Sequence, residues 1–213
     1  MGSSASIIVA LLKSLVHHHG LTVSNDELLE LSKQIESRQH GKSSGLDPAT
    51  ILNGGMLEYQ LEQPLKKIET TRLHAWLIDT GKPQSTTGEA VFKVRGHADN
   101  GALWQAFTNL EKTILESLQD LPQLKQLISE NQLLLEKIGI VPGTISRFIH
   151  ELNENYSAIA KVCGSGAVAG EAAGILLCIS DTPPAELCQK YGYTYQPVSM
   201  DLDGAKCSSL KTN

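Results

Sequence analysis

Residues that could carry out chemistry concentrate in one segment, from Glu36 to Gly55, which reads ESRQHGKSSGLDPATILNGG. A turn of small residues, GKSSG at 41–45, precedes the isolated carboxylate of Asp47. Small residues let the backbone come close to a ligand, because they remove side-chain bulk and glycine accepts unusual dihedral angles. Asp47 also stands at the start of the helical run DPATIL. It is therefore predicted to act as the N-cap of that helix, as a general base that accepts a substrate proton, or as both.

The N-terminus offers a second candidate site, in the sequence MGSSASIIVALLKSLV. Small residues precede an almost wholly apolar helix, so the helix is predicted to be buried, with its first N–H groups pointing out of a Gly-Ser loop. Free backbone donors and the positive end of the helix dipole favour phosphate. The hydroxyl groups of Ser3 and Ser4 could reach a phosphate oxygen or its magnesium ion. The alternative is that a serine here only caps the helix.

A third stretch, Lys161 to Ser180, reads KVCGSGAVAGEAAGILLCIS. The pattern predicts a short strand that enters a glycine-rich loop and an apolar strand that leaves it. Such a loop lets backbone approach a ligand, although a glycine-rich loop can also be purely structural.

Composition limits the classes of function. The chain has 213 residues, 41% of them hydrophobic, a net charge of −5 and a pI near 5.8, and it has no basic run that would bind nucleic acid. The apolar run IIVALLKSLV is interrupted by Lys13 and is shorter than the roughly 18 residues of a membrane span. It also lacks a basic leader, so neither a membrane anchor nor a signal peptide is predicted. The four cysteines lack zinc-site spacing and are predicted to be reduced structural thiols of a cytoplasmic protein.

Periodicity predicts the elements that position these segments. A capping box from Ser24 to Glu27 opens a helix that ends at Glu36. The runs MLEYQLE, KKIET and LHAWLIDTG alternate apolar and polar residues, which predicts antiparallel strands that complete the first domain's sheet. Residues 102–156 are predicted to be three helices, separated at Pro122 and at the Val-Pro-Gly of 141–143.

The leucine-rich stripes of these three helices favour packing within the domain, with a homodimer seam as the alternative. Ile145, Phe148, Ile149 and Leu152 are predicted to extend that core. A last helix around 185–191 and the strand YTYQPVSMD, followed by DLDGAK, are predicted to complete the second domain.

The three segments resemble, in the same order, motifs of the GHMP superfamily of small-molecule kinases, which is named for galactokinase, homoserine kinase, mevalonate kinase and phosphomevalonate kinase. HGKSSGLDPATILNGG resembles the catalytic-aspartate segment of the mevalonate kinase family. GSSA at 2–5 resembles the core of the phosphate-binding loop, Pro-x-x-x-Gly-x-Gly-Ser-Ser-Ala. KVCGSGAVAG resembles the C-terminal motif Lys-x-x-Gly-Ala-Gly-Gly-Gly-Gly: Gly164 and Gly166 fit, while the residues at 167–169 replace later glycines.

The resemblance implies a role for each matching residue. Asp47 would be the catalytic base, and the nucleotide phosphates would be bound by Gly2, Ser3, Ser4 and Ala5. Ser4 would also ligate magnesium, together with Glu36, which stands eleven positions before Asp47. Further contacts to substrate or nucleotide would come from His40, Gly45, Gly164, Ser165 and Gly166. In the family a threonine near Thr86 and Thr87 approaches the active site, although capping of the next helix is the favoured interpretation here.

The implied fold is α+β, a GHMP kinase-like fold of two domains. Residues 1–83 would be the remainder of an S5-like N-terminal ATP-binding domain, and residues 84–213 a C-terminal ferredoxin-like α/β sandwich. The family's loop begins before the position of Met1, so the sequence looks like the C-terminal two-thirds of such a kinase. Without the preceding sheet, apolar helix surface from Ile7 to Val16 is expected to be exposed.

The implied activity is phosphorylation of the primary hydroxyl of mevalonate, with ATP and Mg²⁺, a step toward isoprenoids. Phosphomevalonate kinase and galactokinase are the nearest enzyme alternatives. A non-catalytic ligand-binding chain is the alternative from another class.

Overall fold

The computed structural model describes residues 2–40, 43–61, 63–69 and 73–208, except for the side chains of Gln39 and His40. Two compact units form. The first unit comprises residues 2–69 and the segment from residue 200 onward, and the second comprises residues 70–199. Each unit is described by itself below.

The first unit is a cluster of three helices with a small hairpin. Its elements are α1 (Ser3–His18), α2 (Asn25–His40), α3 (Leu46–Asn53), β1 (Met56–Glu58) and β2 (Lys66–Ile68). The two strands pair antiparallel, with Leu57 opposite Lys67. Val9, Leu28 and Leu52, one from each helix, form the buried centre.

The second unit packs helices against one antiparallel sheet. Its elements are β3 (Ala75–Asp79), α4 (Thr87–Arg95), α5 (Gly101–Glu116), α6 (Leu121–Ile138), α7 (Gly143–Tyr156), β4 (Ile159–Val162), β5 (Ile175–Ile179), α8 (Ala185–Tyr191) and β6 (Thr194–Val198). The strand order is β4-β5-β3-β6. The mixture of helices and separate antiparallel strands confirms the α+β class.

Local sequence explains where several helices begin and end. The predicted capping box before α2 is present: the Ser24 hydroxyl accepts from the Glu27 N–H at 3.2 Å, and the Ser24 N–H donates to the Glu27 carboxylate at 2.8 Å. The Ser24 backbone and side-chain hydrogen bonds hold the pKa of Glu27 below its usual range. The Asp120 side chain caps α6, and Gly139 ends it in the left-handed conformation.

The predicted core of the second unit is confirmed. Ile145, Phe148, Ile149 and Leu152 of α7 are all buried, and they pack with Ile78 of β3 and Leu176 of β5. The loop between β4 and β5 therefore begins and ends at strands that pack into this core.

All four cysteines are free. Cys178 and Cys188 are buried, and burial raises the pKa of these thiols to about 12 and about 11. Cys207 is exposed.

Three sequence-based expectations differ from the structure. The three predicted strand runs do not form one sheet, because β1 pairs with β2, whereas β3 pairs with β5 and β6 of the second unit. Helix α1 is not buried all round: Ala5, Ile8 and Val9 face the core, and the opposite face is exposed. The last predicted segment also separates from the second domain, since the chain from residue 200 onward belongs to the first unit.

The exposed face of α1 matches the expectation that apolar surface between Ile7 and Val16 is open. Ile7, Leu11 and Leu15 are 63%, 60% and 55% exposed. The bounds of the two compact units differ from the predicted domains of 1–83 and 84–213, and that family boundary stays a prediction. None of the helices in the described ranges is long and apolar enough to cross a membrane.

Candidate active site

The candidate phosphate site lies at the N-terminal end of α1. Gly2 is the N-cap, in the left-handed conformation with φ of 59°. The first intrahelical hydrogen bond runs from the N–H of Ser6 to the carbonyl of Gly2, at 2.9 Å. The N–H groups of Ser3 and Ala5 precede it in the first helical turn, where no earlier carbonyl of the helix can accept them. These donors and the positive end of the helix dipole can stabilise an anion.

Asp47 is exposed at the second position of α3. The N-cap interpretation is wrong: the cap is Gly45, whose carbonyl accepts from the N–H of Ala49 at 3.0 Å. A Cβ atom built on Gly2 would lie 3.6 Å from Cγ and Oδ2 of Asp47. Glycine at position 2 therefore leaves open a space beside the carboxylate that a side chain would fill. The structure thus brings the predicted phosphate site and the predicted base together within the first unit.

Glu36, the predicted metal ligand, is held by a serine of the following turn. The Ser43 hydroxyl donates to Oε2 of Glu36 at 2.6 Å and accepts from the N–H of Gly45 at 3.1 Å. The N–H of Ser43 donates to the Ser37 hydroxyl at 3.1 Å. Ser43 therefore fixes the Glu36 carboxylate and Gly45, the N-cap of α3, at the same time, a role that sequence reasoning did not assign to it.

The turn before Asp47 is also covered by two side chains that sequence reasoning missed. The Tyr59 hydroxyl donates to the Ser44 carbonyl at 2.5 Å. Gly45 has φ of +79°, and a Cβ atom on it would lie 2.7 Å from the Tyr59 hydroxyl and 2.8 Å from Cδ of Lys33. This close approach requires glycine at position 45. The tyrosine follows β1 directly, a placement that only the folded hairpin reveals.

Gly41 and Lys42 lie outside the described residues, as does the side chain of His40, whose backbone ends α2. Among the residues that are described, no group of three or more acidic, histidine or cysteine side chains is arranged to hold a metal ion. Mg²⁺ usually takes only one or two carboxylates, with waters and substrate phosphates as its other ligands. The Glu36 carboxylate and the Ser4 hydroxyl suit that donor set.

The predicted glycine-rich loop lies in the second unit, between β4 and β5. Gly164 and Gly166 have φ of +79° and +64°. A Cβ atom on Gly166 would lie 2.1 Å from the Ile140 carbonyl oxygen, whereas one on Gly164 would meet no atom within 4 Å. Gly166 is therefore required for packing against the link between α6 and α7, and Gly164 leaves an open approach to the backbone.

Residues 167–169, which replace the family's later glycines, are partly explained by packing. The N–H of Ala167 donates to the Ile140 carbonyl at 2.8 Å, and Ala167 is buried. The N–H of Val168 donates to the Ser85 hydroxyl at 3.0 Å. Both donors hold the loop in place, and the exposed Gly164 is the position of the motif where the backbone is open to approach.

Thr86 and Thr87 make different contacts at the start of α4. Thr86 is the N-cap of α4 in a full capping box with Glu89. The hydrogen bonds from the Thr86 N–H and hydroxyl hold the pKa of Glu89 below its usual range. The Thr87 hydroxyl lies 3.5 Å from the Ser165 hydroxyl, so it faces the glycine-rich loop.

Comparison with known proteins finds similarity to small-molecule kinases. The family model described as GHMP kinases N terminal domain matches residues 1–55. Mevalonate kinase of Archaeoglobus fulgidus is 29% identical over 174 residues, which cover 78% of this chain and 57% of that protein. The chain spans about half the length of other curated relatives it matches, such as mevalonate kinases of two further archaea.

Solved structures share the fold. The crystal structure of the Methanococcus jannaschii mevalonate kinase superposes with a TM-score of 0.78 at 21% identity, covering 94% of this chain and 64% of that one. The structure of L. major mevalonate kinase in complex with R-mevalonate gives 0.72 at 23% identity, covering 90% and 60%.

The family-model match to residues 1–55 and the shared fold make the chain similar to the GHMP superfamily of small-molecule kinases. Within the superfamily, its similarity is to the mevalonate kinases, as the sequence motifs predict.

Proposed function

We propose that the protein of which this chain is all or part transfers the γ-phosphoryl group of ATP to the primary hydroxyl of mevalonate, giving 5-phosphomevalonate. One observation carries the proposal. The donor-rich end of α1 adjoins the Asp47 carboxylate, with Gly2 leaving the space between them open. Phosphoryl transfer requires this combination, because catalysis of it consists mostly of positioning and charge stabilisation.

The residues of the first unit take distinct roles in this proposal. The N–H groups of Ser3, Ser4 and Ala5 bind phosphate oxygens through the helix end. Asp47 orients the substrate hydroxyl and accepts its proton as the oxygen bonds to phosphorus, and general base catalysis of this kind contributes about 10² to 10⁴-fold. Mg²⁺, held by Glu36 and the Ser4 hydroxyl, would neutralise phosphate charge. Ser43 keeps the Glu36 carboxylate in one orientation.

Mevalonate is proposed as the acceptor because the relatives found are mevalonate kinases, one of them solved with R-mevalonate. The shared fold alone does not choose among acceptors, since phosphomevalonate kinase and galactokinase belong to the same superfamily. The choice therefore needs a direct comparison of substrates.

The experiment is ADP release from ATP and Mg²⁺ with mevalonate, phosphomevalonate or galactose as the acceptor. Release that depends on mevalonate, at a kcat/KM at least about tenfold above either alternative, is the expected result. Preference for phosphomevalonate or galactose would overturn the choice of acceptor. No release with any of the three would contradict kinase activity of this chain and favour a ligand-binding role.

A further inference from the structure

The last described segment of the chain, residues 200–208, follows β6 but packs on the first unit. It contains no helix or strand. We call this segment the strap. Its contacts lie on the C-terminal end of α3, the helix that carries Asp47 at its other end.

Backbone hydrogen bonds join the strap to the residues around the end of α3. The N–H of Ala205 donates to the Ile51 carbonyl at 2.7 Å, and the N–H of Gly55 donates to the Asp201 carbonyl at 2.6 Å. The carbonyls of the last helical turn lack partners within the helix, so bonds of this kind complete the helix end. The strap thus acts as an external cap on α3.

Two glycines allow the backbones to approach this closely. A Cβ atom on Gly204 would lie 2.5 Å from the Leu52 carbonyl oxygen, and one on Gly54 would lie 2.3 Å from the Gly204 nitrogen. Both glycines have positive φ, of +72° and +61°. A side chain at either position would push the strap and α3 apart.

Two lysines of the first unit hold the strap from either side. The Lys67 ammonium donates to the Leu202 carbonyl at 2.7 Å and to the Asn53 carbonyl at 3.1 Å, so it bridges the strap and the end of α3. The Lys13 ammonium, from α1, donates to the Ala205 carbonyl at 2.7 Å. The strap therefore ties α1, α3 and the hairpin to one another.

We infer that the strap positions α3, and with it the Asp47 carboxylate, for phosphoryl transfer, and that Gly204 and Lys67 are its main positioning residues; this rests on the proposed function. Helix α3 has only eight residues, and about 9 Å of helix separates Asp47 from Asn53. A tilt of about 10° about the held end moves Asp47 by about 1.5 Å over that length. Displacements of about 1 Å at a reacting group can cost about 100-fold in rate.

The first test is Lys67→Met, with Lys66→Met as its matched control. Lys66 is the neighbouring lysine of β2, and its ammonium pairs with Glu58 across the hairpin instead of with the strap. Lys67→Met is expected to lower kcat at least about tenfold while KM for mevalonate changes by less than about twofold, because the helix end is freed but binding groups remain. Lys66→Met is expected to leave both constants unchanged.

Gly204→Ala is the second variant, and Gly192→Ala is its control. Both glycines have φ of +72°, but a Cβ atom on Gly192 would meet nothing within 4 Å. The two variants therefore share the backbone penalty and differ in the clash with α3. Only Gly204→Ala is expected to lower kcat.

Two readouts do not depend on activity. Cys207 lies in the strap and is exposed, while Cys178 and Cys188 are buried with raised thiol pKa values. In a Cys163→Ser background a spin label at Cys207 therefore reports strap release. Hydrogen exchange of peptides from 46–53 reports the order of α3. Release of the strap and faster exchange are expected in Lys67→Met and Gly204→Ala, and not in their controls.

The possible results distinguish a failure of the inference about the strap from a failure of the proposed function. If the wild-type chain shows no turnover, the proposed function fails, and label mobility and exchange still test the strap. If the strap is released while kcat and α3 exchange stay at wild-type values, the positioning role is refuted. If neither variant releases the strap, these contacts do not hold it and the inference is likewise refuted.

Discussion

Removal of the Ser43 side chain should most clearly uncouple Glu36, the candidate metal ligand, from α3, the helix that carries Asp47. The Ser43 hydroxyl makes two bonds, to the Glu36 carboxylate at 2.6 Å and from the Gly45 N–H at 3.1 Å. Ser43→Ala removes a charge-assisted hydrogen bond worth about 1.5–3 kcal/mol. It also leaves the N–H of the buried Gly45 without its acceptor, which costs about 1–3 kcal/mol. Water can replace part of this in a half-buried turn, so we expect a net local loss of about 2–3 kcal/mol.

Ser44→Ala is the matched control, one residue further along the same turn. The Ser44 hydroxyl is exposed and accepts from the Leu46 N–H, at a longer 3.3 Å. Surface changes of this kind usually lie within about 0.5 kcal/mol. Ser43→Ala should therefore lower the local stability of the turn by about 2 kcal/mol more than Ser44→Ala does.

The assay must report on the first unit. Both tryptophans, Trp76 and Trp104, lie in the second unit, so their fluorescence does not observe this turn. Hydrogen exchange of peptides covering 43–53 observes the turn directly. A difference of about 2 kcal/mol in local stability appears as about 30-fold faster exchange through local opening. The Mg²⁺ concentration for half-maximal turnover should also rise about tenfold, since groups that orient a metal ligand carry effects of this size. Equal exchange and equal Mg²⁺ dependence in the two serine variants would refute the role given to Ser43.

Two further predictions concern the second unit, where tryptophan fluorescence during urea unfolding is the measurement. Gly166→Ala should lose at least about 2 kcal/mol more stability than Gly164→Ala. Both variants replace a left-handed glycine, which costs about 1–2 kcal/mol, but only Gly166→Ala brings a Cβ atom to 2.1 Å from the Ile140 carbonyl oxygen. Equal losses of stability would contradict the packing of Gly166 against Ile140. Glu89→Gln should destabilise the unit at neutral pH. The pKa of Glu89 is lowered from its usual 4.5 by the Thr86 hydrogen bonds, so its stabilisation is present above pH 4.5 and disappears as pH falls through the lowered value. A wild-type advantage that is constant from pH 7 to well below 4.5 would show that the carboxylate does not stabilise the cap.

Sequence patterns predicted the local elements of this protein well. The capping box at Ser24, the three helices over 102–156 and the core positions of α7 all follow from side-chain periodicity and caps within a few residues. The candidate base and the candidate phosphate loop were identified by motif. The distance between them could not be predicted from the sequence, because it depends on how α1 and α3 pack.

The sequence failed where partners are distant along the chain. The run LHAWLIDTG has the alternation of a strand, but nothing in it selects β5 and β6 as its partners over the hairpin. Aspartate is common at N-caps, yet the N-cap of α3 is not Asp47 but the left-handed Gly45, which packs closely against Tyr59 and Lys33. The strap has no periodicity at all, since its contacts are made by backbone groups, glycines and two lysines from other elements.

The most direct test of the account is turnover of Asp47→Asn beside Asp26→Asn. Asp26 is an exposed carboxylate at the second position of α2, the same helix position that Asp47 holds in α3, and it has no assigned role in the candidate site. Formation of 5-phosphomevalonate from mevalonate and ATP, followed by mass spectrometry, should fall by about 10² to 10⁴-fold in Asp47→Asn and remain at the wild-type rate in Asp26→Asn. Wild-type rates in both variants would contradict the assignment of Asp47 as the catalytic base.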